Sequence, residues 1–204
     1  MVLPQKFFNR PAPIVSKDLL GKILIRKINR KKIYLLITEV EAYDGFNDKA
    51  SHASKGKTPR NSPMFDPAGI FYVYFTYGMH YMLNIVTGPK NYPSAVLIRG
   101  GIIVPPEFMR HIKHATTCTC SSTLLEKFEI INGPARLTKF LKINKKFNGL
   151  KAIPKNDLWF MNYGFRSKKI VAKKRIGIGL PACRQAGAGK IWSDKKWNFS
   201  VKRW

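Results

Sequence analysis

Apolar residues alternate with polar ones from Ile33 through Leu35 and Ile37, which is the period of a β-strand, and the same parity carries Glu39, Glu41 and Tyr43 onto that face. Upstream, Ile14, Leu19, Leu20 and Ile23 recur at helical spacing, which predicts a helix over 14–24 with Ser16 and Asp18 as starter residues. A basic strand over Ile23–Ile28 and a Lys/Arg-rich turn then lead into the strand bearing Glu41. From Gly69 the pattern is β again. IFYVYF, a Thr76-Tyr77-Gly78 break and MHYMLNIV predict two strands with Tyr77 at their tip, and a third strand, Ala95–Arg99, completes an antiparallel sheet.

Asp44–Pro67 reads as a loop punctuated by Gly45, Gly56, Pro59, Pro63 and Pro67, and a loop that long in a compact domain is usually functional. Residues 105–131 show no sustained period and are expected to form a variable, mobile connection. Asn132-Gly133-Pro134 opens a helix, Ala135–Ile143, with Leu137, Phe140 and Leu141 as its stripe. A β section over 158–178 and a basic, tryptophan-bearing tail follow. Neither a repeat nor a second domain emerges from the 204 residues.

Charge narrows the function. Lys and Arg number 37 against 11 Asp and Glu, a formal net charge of +26, which points to a polyanionic partner and foremost to nucleic acid. No basic amphipathic helix suggests a membrane surface, no apolar run is long enough to span one, and Gln5, Lys6, Asn9 and Arg10 make a secretory signal unexpected. Of three cysteines, Cys118 and Cys120 lie too close for an ordinary bridge, and with Cys183 they suit a reducing interior. Their Cys-x-Cys spacing lacks a second ligand pair, so no metal site is expected.

Against that field, Glu39, Glu41, Asp44 and Asp48 crowd into ten residues. Such a cluster means either ion pairing with nearby cations or catalysis, and spacing alone leaves both open. Tyr72, Tyr74, Tyr77 and Tyr81 fill a sheet on the plain reading, yet exposed tyrosines also give nucleobases a stacking surface.

These residues resemble a known family. Glu41-Ala42-Tyr43, Ser51-His52, Thr58-Pro59-Arg60-Asn61, Met64-Phe65, Gly69, Tyr72-Val73-Tyr74, Tyr77-Gly78-Met79 and Asn84 are similar to the alkyladenine (3-methyladenine) DNA glycosylases of the mammalian type, which include bacterial members. The similarity extends to Phe7-Phe8, Pro11, Leu20-Gly21, Asn132–Leu137 and Arg175–Gly179. Residues 105–131 and Leu180-Pro181-Ala182-Cys183 depart from the pattern, which bears on rim packing and substrate range.

The resemblance implies a single α+β domain with a curved antiparallel sheet, a protruding β-hairpin and flanking helices. It implies a monofunctional, monomeric enzyme that flips alkylated purines out of double-stranded DNA and leaves an abasic site, without a cofactor. Glu41 would activate water, Tyr43, His52, Tyr74 and Asn84 would form the base pocket, and Tyr77 would wedge into the duplex. Arg60, Arg99 and Arg175 would contact the nucleic-acid backbone. The compartment would be a bacterial cytoplasm beside the nucleoid, or a nucleus in a eukaryote. Two rivals fit the charge: a non-enzymatic RNA- or DNA-binding protein, and a metal-dependent nuclease using Glu39, Glu41, Asp48 and His52.

Overall fold

A computed structural model describes residues 1–112, 127–165, 167, 169–178, 192 and 194–203. Its strands are β1 (Ile23–Ile28), β2 (Lys31–Asp44), β3 (Phe71–Thr76), β4 (His80–Val86), β5 (Ser94–Val104), β6 (Ile130–Asn132), β7 (Leu158–Met161), β8 (Lys169–Lys173) and β9 (Asn198–Arg203). They form one antiparallel sheet with the main order β3-β4-β5-β2-β1-β7. β6 joins at β5, β9 pairs with β2, and β8 pairs with β9. The sheet curls until its terminal strands approach, with the Phe71 and Phe160 rings 5.9 Å apart.

The sheet is accompanied by the helices α1 (Gln5–Phe8), α2 (Ala12–Leu19), α3 (Pro106–Ile112) and α4 (Pro134–Phe140). α2 starts and stops earlier than the sequence predicts. Prolines at 11 and 13 suit its first turn, where backbone N–H groups have no intrahelical partner. Its buried stripe is Ala12, Val15, Ser16 and Leu19, while Ile14 is half exposed. α4 ends at Phe140, which faces partly outward, and Leu137 and Leu141 carry the packing. Part of the connection predicted as irregular is ordered: α3 follows β5, and β6 pairs Gly101 with Ile131. The late β section is two separate strands, and β9 in the tail adds a third. Cys118, Cys120, Cys183 and the Leu180-Pro181 rim lie outside the described residues.

The main core lies on one face of the sheet, where Phe8, Val15, Leu19, Leu137 and Leu141 meet Leu24, Leu35, Ile37, Val40, Ala42 and Val96. Each fully buried leucine there contributes roughly 1.5–3 kcal/mol. A second cluster, with Leu36, Ile23, Ile102 and Trp159, lies on the opposite face.

This division overturns one prediction. Leu35 and Ile37 share the core with Val40 and Ala42, so the side-chain parity of β2 changes between 37 and 40. Register irregularities bracket Glu39 at that point, and Thr38 has no paired partner on β5. The extra residue turns Glu39, Glu41 and Tyr43 to the face opposite Leu35 and Ile37. Gly101 allows the close approach this requires, since a Cβ there would lie 2.6 Å from the Leu35 side chain and 2.7 Å from the Leu36 carbonyl oxygen.

Candidate active site

On the face that the bulge gives to Glu41, β3, β4 and β5 present Tyr72, Tyr74, Asn84, Leu97 and Arg99 around a cleft of about 300 Å³. The Asp44–Pro67 loop adds His52 and Met64, and residues 176–178 close another side. A single wall is thus drawn from strands, a long loop and a late segment, which explains why the candidate residues scatter along the chain.

Glu41 is fully buried just behind this wall. Its Oε2 accepts from the Tyr43 hydroxyl at 3.0 Å and from Arg99 at 3.3 Å, and both donors line the cleft. Its Oε1 accepts from the Ile176 amide at 2.7 Å and the Asn198 side chain at 3.1 Å. Glu39 shares two of these partners, Arg99 at 3.2 Å and Asn198 at 2.7 Å. Four donors satisfy the buried carboxylate, as burial demands. Three of these donors, Tyr43, Arg99 and Ile176, line the cleft.

The aromatic wall is tuned by burial. Tyr43 sits well above the usual phenol range because it is desolvated, with the neighbouring Glu41 adding to the shift. Tyr74 is pushed up to about 12, again chiefly by burial. His52 keeps an exposed side, and partial desolvation against the aromatic wall lowers its pKa, with the nearby Arg60 charge lowering it further. The His52 ring lies edge to face with Tyr74, centroids 4.6 Å apart, and its Nδ1 is 3.2 Å from the Tyr72 hydroxyl. Asn84 donates to the Tyr72 carbonyl at 3.0 Å, which fixes its amide within the sheet.

The Thr58–Asn61 loop is held by Asn61, whose amide donates to the carbonyls of His52 and Gly56, each at 3.0 Å. That bond carries His52 to the cleft. Arg60 donates to the Phe75 carbonyl at 2.8 Å and lies 5.5 Å over the Tyr74 ring.

Tyr77 stands at the β3–β4 tip, as predicted, and is 73% exposed. With Gly78 it adopts positive φ, 53° and 66°, in a turn closed by the Met79 amide on the Thr76 carbonyl. Two left-handed residues are what a tight primed hairpin turn requires, and only the second is glycine. Phe75 and Met79 are also exposed, so the tip is apolar.

Two arginines expected at the nucleic-acid backbone are placed otherwise. Arg175 is an interior strut: its guanidinium binds Asp48 through two hydrogen bonds, at 2.5 and 2.9 Å, and also reaches the Ala42 and Trp192 carbonyls. Both charged side chains have zero exposure, so Arg175 cannot meet a surface phosphate. Arg99 is nearly buried between Glu39 and Glu41, though it lines the cleft. Arg60 alone of the three is exposed. Asp48 is committed to Arg175 and Glu39 to Arg99, so the acids of the nuclease reading do not converge with His52, and among the described residues no metal-ligand cluster of three occurs.

Sequence reasoning missed Asn198 and the Ile176 amide. A backbone donor leaves no mark in a sequence, and a lone asparagine near the end of the chain is equally silent. The alternation of Phe199 and Val201 could have revealed β9, and with it the place of Asn198 beside β2.

The chain is 42% identical over 178 residues to a protein of Methanocella arvoryzae provisionally named 3-methyladenine DNA glycosylase, covering 87% of this chain and 84% of that one. A Borreliella burgdorferi protein of the same provisional name is 42% identical over 187 residues, 91% of each chain. One from Psychrobacter cryohalolentis is 36% identical over 197 residues, 94% of this chain and 89% of the other. The pattern of the methylpurine-DNA glycosylase family spans residues 6–203, and the chain belongs to that family.

Proposed function

We propose that this protein is a monofunctional, monomeric DNA glycosylase that removes 3-methyladenine and similar alkylated purines from duplex DNA, with Glu41 activating the attacking water. The observation that carries this reading is the placement of Oε2 of Glu41 behind two cleft-lining donors, Tyr43 and Arg99. A purine stacked inside a duplex cannot reach a cleft walled by Tyr74, His52 and Asn84, so the base is extruded before it reacts. Tyr77 at the exposed tip fills the gap it leaves.

The chemistry needs one base. A water among Tyr43, Arg99 and Oε2 adds its oxygen to the anomeric carbon and passes a proton to Glu41, while the N-glycosidic electron pair leaves with the purine. An alkylated, cationic purine departs neutral, which makes it a good leaving group. Water as nucleophile forms no covalent enzyme intermediate, so the product is an abasic site in an intact strand. The surplus of surface cations supplies sequence-independent affinity.

The test is incubation with methylated duplex DNA in chelator, followed by identification of released bases. Release of 3-methyladenine from wild type but not from Glu41→Gln supports the reading. Strand cleavage without base release, or activity lost in chelator, would refute it.

A further inference from the structure

A second basic surface lies away from the cleft, built from two segments far apart in sequence. Between Ala135 and Asn156 the chain has seven Lys and Arg and no acid, and between Arg26 and Lys32 five of seven residues are basic. The fold brings these segments together. Arg26 donates to the Leu141 carbonyl at 3.1 Å and stacks 4.6 Å over Phe147, and the Lys27 amide donates to the Asp157 carbonyl at 2.9 Å. Arg30, Lys31, Lys142, Lys145 and Lys146 are all exposed there, while Lys32 turns to the other face over the Trp159 ring. Among the described residues none of these five has an acidic partner within salt-bridge distance.

The backbone gives an independent sign that the charge is retained for use. Arg30 and Lys142 adopt left-handed φ, 67° and 51°. Arg30 is the second residue of the tight turn between β1 and β2, and Lys142 follows the last residues of α4. Both are positions where glycine is the least strained choice, yet each holds a cation.

The β1–β2 turn of this surface is remote from Glu41. Lys31 opens β2 and Glu41 lies ten residues along it, a separation on the order of 30 Å at strand rise. α4 packs on the main core and reaches the cleft only with its first residue, Pro134, while Lys142, Lys145 and Lys146 follow its far end, on the stretch that bonds β3 through Asn148 and the Val73 amide at 2.9 Å. Exposed cations without acidic partners fit the phosphate backbone of a nucleic acid.

We propose that this surface binds the backbone of a second stretch of duplex DNA while the cleft holds the first. The protein then bridges two duplexes, a property separate from excision and from the residues that perform it. Bound in this way, the enzyme can pass between DNA segments without fully dissociating.

The test uses the variant Arg30→Gly/Lys142→Gly/Lys145→Gln/Lys146→Gln, in which glycine suits the backbone and folding is preserved. Full-length protein is bound to an immobilised lesion-bearing duplex too short to reach both surfaces, and a labelled undamaged duplex is added at low salt. Wild type is expected to retain the second duplex, and the variant to lose that retention tenfold or more. The slope of log affinity for the second duplex against log salt should fall by about 3 to 4, near 0.9 per contact removed. Single-turnover excision from the short duplex stays unchanged. Equal retention by the variant overturns the proposal, as does a parallel fall in excision, which would assign these cations to the first duplex. Preferential retention of single-stranded RNA over duplex DNA also overturns it.

Discussion

The Ile176 amide donates a 2.7 Å hydrogen bond to Oε1 of Glu41, joining residues 135 positions apart at one buried carboxylate. Together with Asn198, Tyr43 and Arg99 it surrounds Glu41 with donors only. Glu41→Gln therefore removes the proposed proton acceptor and also turns an NH₂ group toward other donors. Excision is expected to fall 10²-fold or more, with a stability loss of about 1–3 kcal/mol and duplex binding retained. Glu39 is partly exposed, and a glutamine oxygen can still accept from Arg99 and Asn198, so Glu39→Gln should be milder. Single-turnover rates for the pair decide the matter, because the reverse order would remove Glu41 from its role.

Asp48 and Arg175 form a pair with no exposed side-chain surface, and Arg175 also stacks against Tyr43 at 4.9 Å and Trp197 at 5.2 Å. Removing one charge leaves the other buried alone. Asp48→Asn is expected to cost about 3–5 kcal/mol in urea unfolding. A loss below about 1 kcal/mol would show that the pair is not the strut described.

The hairpin and the position of Tyr77 were legible because local chemistry fixes them: β-rich runs on both sides of a Tyr-Gly turn leave few alternatives. The parity of β2 was not. Ile33, Leu35 and Ile37 set one phase while Val40 and Ala42 set the other, and the bulge reconciling them depends on pairing with Gly100 and Gly101 some sixty residues later. Arg175 looked like a surface cation because a basic sequence offers no local sign that one guanidinium is interior. Its partner Asp48 stood in an acidic cluster open to two readings, ion pairing and catalysis: Asp48 is paired with Arg175, and Glu41, paired with Arg99, also lies behind the cleft wall.

His52 titrates below its ordinary value because burial, and then the Arg60 charge, oppose protonation in the folded state. As pH falls through about 6.5 the unfolded chain takes up this proton first. The stability associated with neutral His52 is complete above that pH and is lost progressively below it. Replacing His52 with Gln should flatten the decline between pH 7.5 and 5.5. Urea unfolding of both proteins at the two pH values measures the difference, and identical declines would count against a partly desolvated, neutral imidazole.

Tyr77 holds strained backbone at an exposed tip, an arrangement that burial does not explain. Tyr77→Ala is expected to weaken affinity for a lesion-bearing duplex while leaving non-specific binding, which phosphate contacts dominate, nearly unchanged. A fluorescent base analogue reports extrusion directly. Normal extrusion in the variant would exclude the wedge.

Selectivity for charged bases is expected to depend on Tyr74, whose ring lines the cleft but already carries Arg60 at 5.5 Å. An aromatic quadrupole attracts a cationic purine, yet a neighbouring guanidinium competes for the same ring and repels the incoming charge. The net preference should thus sit low in the range for such contacts, about 0.5–1 kcal/mol, or roughly two- to fivefold in relative rate. Tyr74→Leu keeps an apolar wall and should abolish that preference, whereas Arg60→Gln should increase it. Competition between a cationic alkylpurine and neutral hypoxanthine in duplexes of identical sequence measures both shifts. If Tyr74→Leu slows the two substrates equally and Arg60→Gln leaves their ratio unchanged, Tyr74 supplies shape alone and discrimination lies with groups such as Asn84 that read the edge of the base.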